Sequence, residues 1–225
     1  MIIKHPTAAR QDGMLMLWQE AFGDNREFIE MFFSTGFSFD RSMICLENEQ
    51  VAAALYWFDC LWNDKKVAYL YAIATKKEQR GKGICTKLMV KTHAELKAKN
   101  YHGTILVPAD EGLAKMYGRM GYSPCAAQGI QNAECKMQTV SISPEEYKKL
   151  QRDLLPEDAV THTDAAFLYL QNFARFYKTK DGILCKTEDT VQEILPYIPA
   201  RKPTAMYLPL TEDKTIPSYF ALPLA

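Results

Sequence analysis

The sequence lacks the features that direct a protein into a membrane or onto a nucleic acid. No stretch of its 225 residues approaches the ~20 apolar residues that span a bilayer. The segment from Met1 to Pro6 has no apolar region of a secretory signal. Basic and acidic side chains number 27 each, so the formal net charge is zero and no global field attracts a polyanion. We therefore expect a cytoplasmic protein that binds no membrane and no nucleic acid.

Cysteine is sparse, and its spacing is not that of a metal site or a disulfide framework. The chain contains no C-x-x-C pair and no histidine at zinc-ligand spacing from a cysteine. Hydrophobic residues make up 48% and charged residues 24%, which is typical of a globular protein with a packed core. We therefore expect reduced thiols and no bound metal. The six cysteines lie at positions 45, 60, 85, 125, 135 and 185.

Apolar periodicity along the first half of the chain predicts one sheet with helices around it. The strand over 67–74 is apolar on both faces, which is typical of a central strand. The order of elements predicts an α+β (mixed α/β) fold. The predicted elements are helices over 8–22 and 26–33, strands over 43–47, 51–58 and 65–74, a helix over 84–98, a strand over 104–107 and a helix over 110–119.

The composition changes near residue 140, since eight of the eleven prolines fall in the last 85 residues. We therefore predict a core domain over 1–140 and a C-terminal extension over 141–225. The extension would complete the sheet or form a lid, and we favour completion because no closing strands are evident between 122 and 140. Its predicted elements are helices over 144–154, 163–174 and 188–195 and strands near 183–187, 205–210 and 218–223.

A glycine-bearing loop follows the strand over 67–74 and opens the helix over 84–98. Its sequence is Arg80-Gly81-Lys82-Gly83-Ile84-Cys85. Backbone N–H groups and the positive end of the helix dipole meet at such a loop, which favours a bound anion. From Lys76 to Lys99 eight side chains are basic and two are acidic, so the local charge is positive. The alternative is an ordinary turn followed by a solvated basic helix face.

The loop fits neither of two familiar phosphate-binding motifs. The Walker A motif needs G-x-x-x-x-G-K-[ST], and the dinucleotide motif needs a third glycine where this chain has Thr86. The loop instead resembles the [QR]-x-x-G-x-[GA] signature of the GCN5-related N-acetyltransferases (GNAT family), with Cys85 at the final small position.

A second set of residues carries the same resemblance. Leu106-Val107, Asp110, Tyr117 and Gly121-Tyr122 follow the family's strand, helix and closing glycine-aromatic pair. The segment Leu17–Asp24 resembles the first helix of a bacterial branch of the family. The resemblance covers about residues 1–125.

The resemblance implies a GNAT-like fold: a central, mostly antiparallel twisted sheet, splayed between its fourth and fifth strands and flanked by helices, with a C-terminal α/β extension. It also implies acetyl-CoA as cosubstrate. Asp110, where the family commonly has asparagine, would contact coenzyme A or cap its helix. The pantetheine arm would bind the backbone of Ile73, Ala74 and Thr75, and the pyrophosphate the amides of Arg80, Gly81, Lys82, Gly83, Ile84 and Cys85.

Acyl transfer to an amine needs a neutral amine, a polarised carbonyl and a proton for the leaving thiolate. The resemblance implies that Tyr117 supplies the proton to the leaving thiolate and that a backbone N–H near Ile73 or Ala74 polarises the carbonyl. Cys85 occupies the family's small filler position, so we prefer direct transfer to a cysteinyl intermediate.

The general base is less well defined by the sequence. Histone-modifying relatives place a glutamate at the position of Val67. Glu47, Asp59 and Tyr71 are candidates by proximity to the expected cleft. Another is the terminal carboxylate of Ala225, because the multidomain "enhanced intracellular survival" relatives end in a carboxylate inside the active site.

These expectations describe an N-acetyltransferase that transfers an acetyl group to a primary amine of a small molecule or a peptide. The alternative is a non-catalytic module that binds or senses acyl-CoA. A nucleic-acid-binding domain is a third reading of the basic run, but that run has no interleaved aromatic residues. The sequence leaves a homodimer open.

Overall fold

The computed structural model of the chain describes residues 1–125, 138–187, 191–194 and 203–220. The α-helices are α1 (Gln11–Phe22), α2 (Arg26–Met31), α3 (Ile84–Ala98), α4 (Glu111–Arg119), α5 (Pro144–Leu154) and α6 (Asp164–Leu170). The strands are β1 (Ile2–Lys4), β2 (Ser42–Glu47), β3 (Gln50–Trp62), β4 (Lys65–Thr75), β5 (Gly103–Leu106), β6 (Ser123–Cys125), β7 (Val140–Ser141), β8 (Ala159–His162), β9 (Arg175–Lys178), β10 (Ile183–Lys186), β11 (Val191–Ile194), β12 (Ala205–Pro209) and β13 (Tyr219–Phe220). Shorter turns are 3-10 helical at Ala8–Arg10, Phe39–Arg41 and Lys77–Gln79 and π-helical at Phe32–Gly36.

The chain divides into two compact units. The first comprises Met1–Asp59, Lys66–Leu106 and Leu208–Lys214. Its sheet has the strand order β1-β2-β3-β4-β5. The β1–β2 and β2–β3 pairs are antiparallel, whereas β4 and β5 are parallel. The mixed α/β fold class is thus confirmed, and β4 is the central strand that its apolar sequence predicts.

The second unit comprises the described parts of Cys60–Lys65, Val107–Tyr207 and Thr215–Ala225. It contains a four-stranded sheet of order β11-β10-β9-β7. β12 pairs with β6, β13 pairs with β8, and β8 also pairs with the last residues of β3. The domain boundary near residue 140 stays a prediction.

The helix predicted over 188–195 is wrong where the structure describes it, because residues 191–194 form β11. This strand pairs with β10 in an antiparallel register from Lys186↔Val191 to Ile183↔Ile194. Val191 and Ile194 are β-branched, which favours a strand, and the ladder with β10 supplies hydrogen bonds that a short helix would have to make alone. The predicted helix over 163–174 also ends early, at Leu170.

Aromatic rings hold α1 against the sheet of the first unit. Trp18 is 2% exposed, and its ring centroid lies 5.4 Å from that of Tyr56 on β3 and 5.8 Å from that of Tyr71 on β4. Phe32, in the π-helical turn that follows α2, lies 4.6 Å from Trp18. These contacts fix α1 and the turn after α2 over β3 and β4.

Helix α3 has the bounds that its sequence predicts, and Ile84, Leu88, Met89 and Leu96 are buried on one face. His93 lies on the same helix, and burial lowers its pKa to about 4. The folded chain therefore keeps His93 neutral where an unfolded chain would protonate it.

This difference predicts a loss of stability on acidification. Below the ordinary pKa near 6.5 the unfolded state takes up a proton that the folded state refuses until about pH 4, so stability falls as the pH drops through this window. At about pH 5 the lowered pKa of one such histidine reduces the free energy of unfolding by about 1–2 kcal/mol. The free energy of unfolding, measured with urea, should fall less between about pH 7.5 and about pH 5 in His93→Gln than in the wild type. Equal losses would contradict the assignment.

Candidate functional site

Strand β4 stops pairing with β5 well before it ends. The parallel register runs from Val67↔Gly103 to Tyr69↔Ile105, although β4 continues to Thr75. Three residues after the last pair, Ala72 has a φ of 48°, in the left-handed region. That conformation costs an L-residue roughly 1–2 kcal/mol. The backbone of β4 beyond Tyr69 therefore lies outside the β4–β5 ladder.

The three residues predicted to hold a pantetheine arm lie just beyond this point. Ile73 and Thr75 are half-buried, and Ala74 is buried. The Thr75 carbonyl accepts a hydrogen bond from Nε of Arg80 at 3.1 Å. The Lys76 N–H donates to the Ala52 carbonyl at 2.9 Å, which ties the end of β4 back to β3.

The loop before α3 depends on two glycines in the left-handed conformation. Gly81 has a φ of 78° and Gly83 a φ of 74°. A Cβ built on either residue meets no atom within 4 Å, so both face open space. Gly83 is the N-cap of α3 and offers no side-chain oxygen to the first turn. The first N–H groups of α3 therefore lack the usual cap acceptor, which favours an anion there.

Hydrogen bonds hold the segment that leads into this loop. The Lys77 N–H donates to Oε1 of Glu20 on α1 at 2.7 Å. The Arg80 N–H donates to the Lys77 carbonyl at 3.3 Å, so this amide of the predicted pyrophosphate set already has a partner. Nζ of Lys82 donates to Oε1 of Gln79 at 3.0 Å. The loop is thus anchored to α1 while the exposed Arg80 and Lys82 add positive charge.

Cys85, in the first turn of α3, is not activated. A helix N-terminus lowers a thiol pKa, but burial raises the pKa of Cys85 to about 11. Desolvation of the thiolate outweighs the helix dipole at this position. The thiol is therefore protonated near neutral pH, which fits a small filler residue.

Asp110 directly precedes α4 and Tyr117 lies on it, and both residues are in the second unit. Oδ1 of Asp110 accepts the Leu113 N–H at 2.7 Å, so Asp110 is the N-cap of α4. Tyr117 is 5% exposed, and its ring centroid lies 5.8 Å from that of Tyr122. Ala225 lies outside the described residues, and its role stays a prediction.

Two of the base candidates already have charged or hydrogen-bonding partners. Oε1 of Glu47 lies 3.6 Å from the amino group of Met1. Asp59 accepts a hydrogen bond from the Tyr101 hydroxyl at 2.5 Å and lies 3.6 Å from Nζ of Lys66. These contacts suit structural carboxylates. Tyr71, the third candidate, directly precedes the left-handed Ala72.

Among the described residues, no group of three or more His, Cys, Asp or Glu side chains has a metal-binding arrangement. In the same part of the chain no helix is long and apolar enough to cross a membrane. The described cysteines, 45, 60, 85, 125 and 185, form no disulfide.

Comparison with known proteins identifies the family. Residues 3–125 match the family model of the acetyltransferase (GNAT) domain. The chain therefore belongs to the GNAT family, and the protein is an acyltransferase. Membership favours the enzyme over the non-catalytic acyl-CoA-binding module. No curated protein matches the sequence significantly.

Solved structures share the fold at low sequence identity. A GCN5-related N-acetyltransferase from Kribbella flavida is 14% identical, with a TM-score of 0.59 over 87% of this chain. The chain spans 57% of that protein's length. One from Anabaena variabilis is 12% identical, with a TM-score of 0.63 over 93% of this chain and 73% of its own. The ribosomal-protein-S18-alanine N-acetyltransferase of Escherichia coli is also 12% identical, with a TM-score of 0.51 over 94% of this chain and 95% of its own.

The environment of Cys85 predicts slow alkylation. With a pKa of about 11, its thiolate is a minor species at about pH 8. Labelling with iodoacetamide, followed by peptide mass spectrometry, should be at least ~10-fold slower in the folded protein than in urea, where the same residue regains its ordinary pKa. Rapid labelling of the folded protein near neutral pH would show an activated thiol instead.

Proposed function

We propose that the protein is an N-acetyltransferase that uses acetyl-CoA and transfers the acetyl group directly to a primary amine of a small molecule or a peptide. The observation that carries the proposal is the succession of two features within the first unit. β4 leaves β5 after Tyr69, and the open loop at Gly81 and Gly83 lies between the end of β4 at Thr75 and the uncapped start of α3.

The loop and the end of β4 offer complementary chemistry to coenzyme A. The amides from Gly81 to Cys85 would bind the pyrophosphate, with Arg80 and Lys82 adding charge. The pantetheine arm is extended and amide-bearing, so it would pair with the backbone of residues 73–75 as an added strand does. The end of β4 is suited to this because its ladder with β5 ends at Tyr69.

The reaction itself is a direct displacement. The lone pair of a neutral amine attacks the thioester carbonyl, the C–S bond breaks, the amine nitrogen loses a proton and the sulfur gains one. A backbone N–H near Ile73 or Ala74 would polarise the carbonyl. We assign the protonation of sulfur to Tyr117, as the family resemblance implies, because a phenol can donate to a thiolate as it leaves.

The coenzyme site is tested by calorimetric titration with acetyl-CoA. The wild type should bind, and Gly83→Asp should weaken binding at least ~10-fold, because a carboxylate at the start of α3 repels the pyrophosphate. Gly23→Asp is the matched control: Gly23 ends α1 with a φ of 76° and has the same open surroundings. Equal losses in both variants, or no binding by the wild type, would contradict the proposed site.

The role of Tyr117 as general acid is tested with Tyr117→Phe, which keeps the aromatic ring and removes the hydroxyl that would donate the proton. We expect kcat to fall ~10²-fold, within the usual range for a lost general acid, with an unchanged dissociation constant for acetyl-CoA. Release of the coenzyme A thiol measures turnover, and Tyr122→Phe, at the neighbouring ring, serves as the control. An unchanged kcat would remove Tyr117 from the mechanism.

A further inference from the structure

The hydroxyl of Tyr56 is buried without a hydrogen-bond partner among the described residues. The residue is 2% exposed and lies on β3. Aromatic rings surround it, with the centroid of Phe32 at 5.1 Å, that of Trp18 at 5.4 Å and those of Phe33 and Phe37 at 6.1 Å. We call Trp18, Phe32, Phe33, Phe37, Tyr56 and Tyr71 the aromatic cluster.

An unpaired hydroxyl is an unfavourable choice for a purely structural position. Burying an O–H without a partner destabilises a fold, and phenylalanine would fill the same space without that loss. The indole nitrogen of Trp18, on the neighbouring α1, is not its partner, because this Nε1 donates to Oδ2 of Asp24 at 2.6 Å. The Tyr56 hydroxyl is therefore available to hydrogen-bond a ligand that reaches it.

The aromatic cluster extends to the strand proposed to carry the reaction. The ring of Tyr71 lies 5.8 Å from both Trp18 and Phe32. Tyr71 directly precedes Ala72, where the β4 backbone turns left-handed beyond its last pair with β5. A molecule whose apolar part lies in the cluster would thus present its other end near the segment that would polarise the thioester.

The cluster is also close to the surface. Phe33 and Phe37 are half-buried, and Phe39, whose ring lies 4.9 Å from that of Phe37, is 38% exposed. Phe33 and Phe37 both contact Tyr56 and form a half-buried layer of rings beside its ring. Part of that layer lies in the π-helical turn Phe32–Gly36, a type of turn that is frequent at functional sites.

We propose that the aromatic cluster binds the acceptor, an aryl-alkyl amine whose ring carries a hydrogen-bonding group, and that Tyr56 selects it by hydrogen bonding to that group. The inference rests on the proposed function and names the substrate class of that site. Tyr56 would contact the ring of the acceptor and not its amine, so it determines specificity and takes no part in proton transfer.

The test compares acceptors that differ in one hydroxyl. Tyramine and phenethylamine share the aryl-alkyl amine and differ in the ring hydroxyl, and putrescine is an amine without a ring. For the wild type we expect kcat/KM, measured by thiol release, to be ~10-fold higher for tyramine than for phenethylamine, because the buried Tyr56 hydroxyl stays unpaired with the latter. In Tyr56→Phe the kcat/KM for tyramine should fall ~10-fold, so that the preference over phenethylamine disappears.

Tyr147→Phe is the matched control, because Tyr147 is also fully buried and its hydroxyl also lacks a partner among the described residues, but it lies on α5 in the second unit. Both substitutions should raise the melting temperature of the free protein, by a few degrees, and only Tyr56→Phe should change the preference. A lower melting temperature for Tyr56→Phe would show that the hydroxyl has a partner within the folded chain and would overturn the inference.

The failures of the two proposals are distinguishable. Binding of acetyl-CoA with turnover of putrescine but of neither aryl-alkyl amine would overturn the inference and leave the proposed function intact. Equal kcat/KM values for tyramine and phenethylamine in the wild type would do the same. A protein that does not bind acetyl-CoA would overturn the proposed function.

Discussion

The departure of β4 from β5 is the constraint on which the rest of the site depends. Only three residue pairs join the two strands, from Val67↔Gly103 to Tyr69↔Ile105. The left-handed backbone of Ala72 then carries β4 onward without this partner. A sheet normally pairs its backbone groups internally, so a strand that continues past its ladder has hydrogen-bonding capacity for a ligand. The contacts of Lys76 with Ala52 and of Lys77 with Glu20 keep that segment in place.

Electrostatics at this site are local rather than global. The chain as a whole has no net charge, yet eight basic and two acidic side chains lie between positions 76 and 99. Gly83 leaves the start of α3 without a side-chain cap, so helix dipole, free N–H groups and basic side chains coincide. The same helix start does not activate Cys85, because burial raises the pKa of that thiol to about 11. The site therefore favours an anion without creating a nucleophile.

Much of this could be predicted from the sequence, because it depends on local patterns. Helix α3 has its predicted bounds, since a glycine precedes it and an apolar ladder from Ile84 to Leu96 defines its buried face. The glycine loop was equally visible, because only glycine adopts a positive φ without strain. The strand β11 was missed, since its pairing with β10 is a contact between chain segments that periodicity does not report.

The remaining features had no sequence signal. Alanine disfavours the left-handed region, so nothing in the residue type marks Ala72 as the turning point of β4. The unpaired hydroxyl of Tyr56 is likewise a property of its surroundings, since a tyrosine on an apolar strand is most often ordinary core. Both features result from tertiary packing, and only Ala72 directly adjoins the backbone that we propose to polarise the thioester.

Amide hydrogen–deuterium exchange with and without acetyl-CoA tests the central claim most directly, because it reports the backbone groups themselves. The account predicts that acetyl-CoA slows exchange in two segments, residues 73–75 at the end of β4 and residues 81–85 at the start of α3. Exchange in β1, at the far edge of the same sheet, should not change. Unchanged exchange in both segments at saturating acetyl-CoA, or protection confined to other parts of the chain, would contradict it.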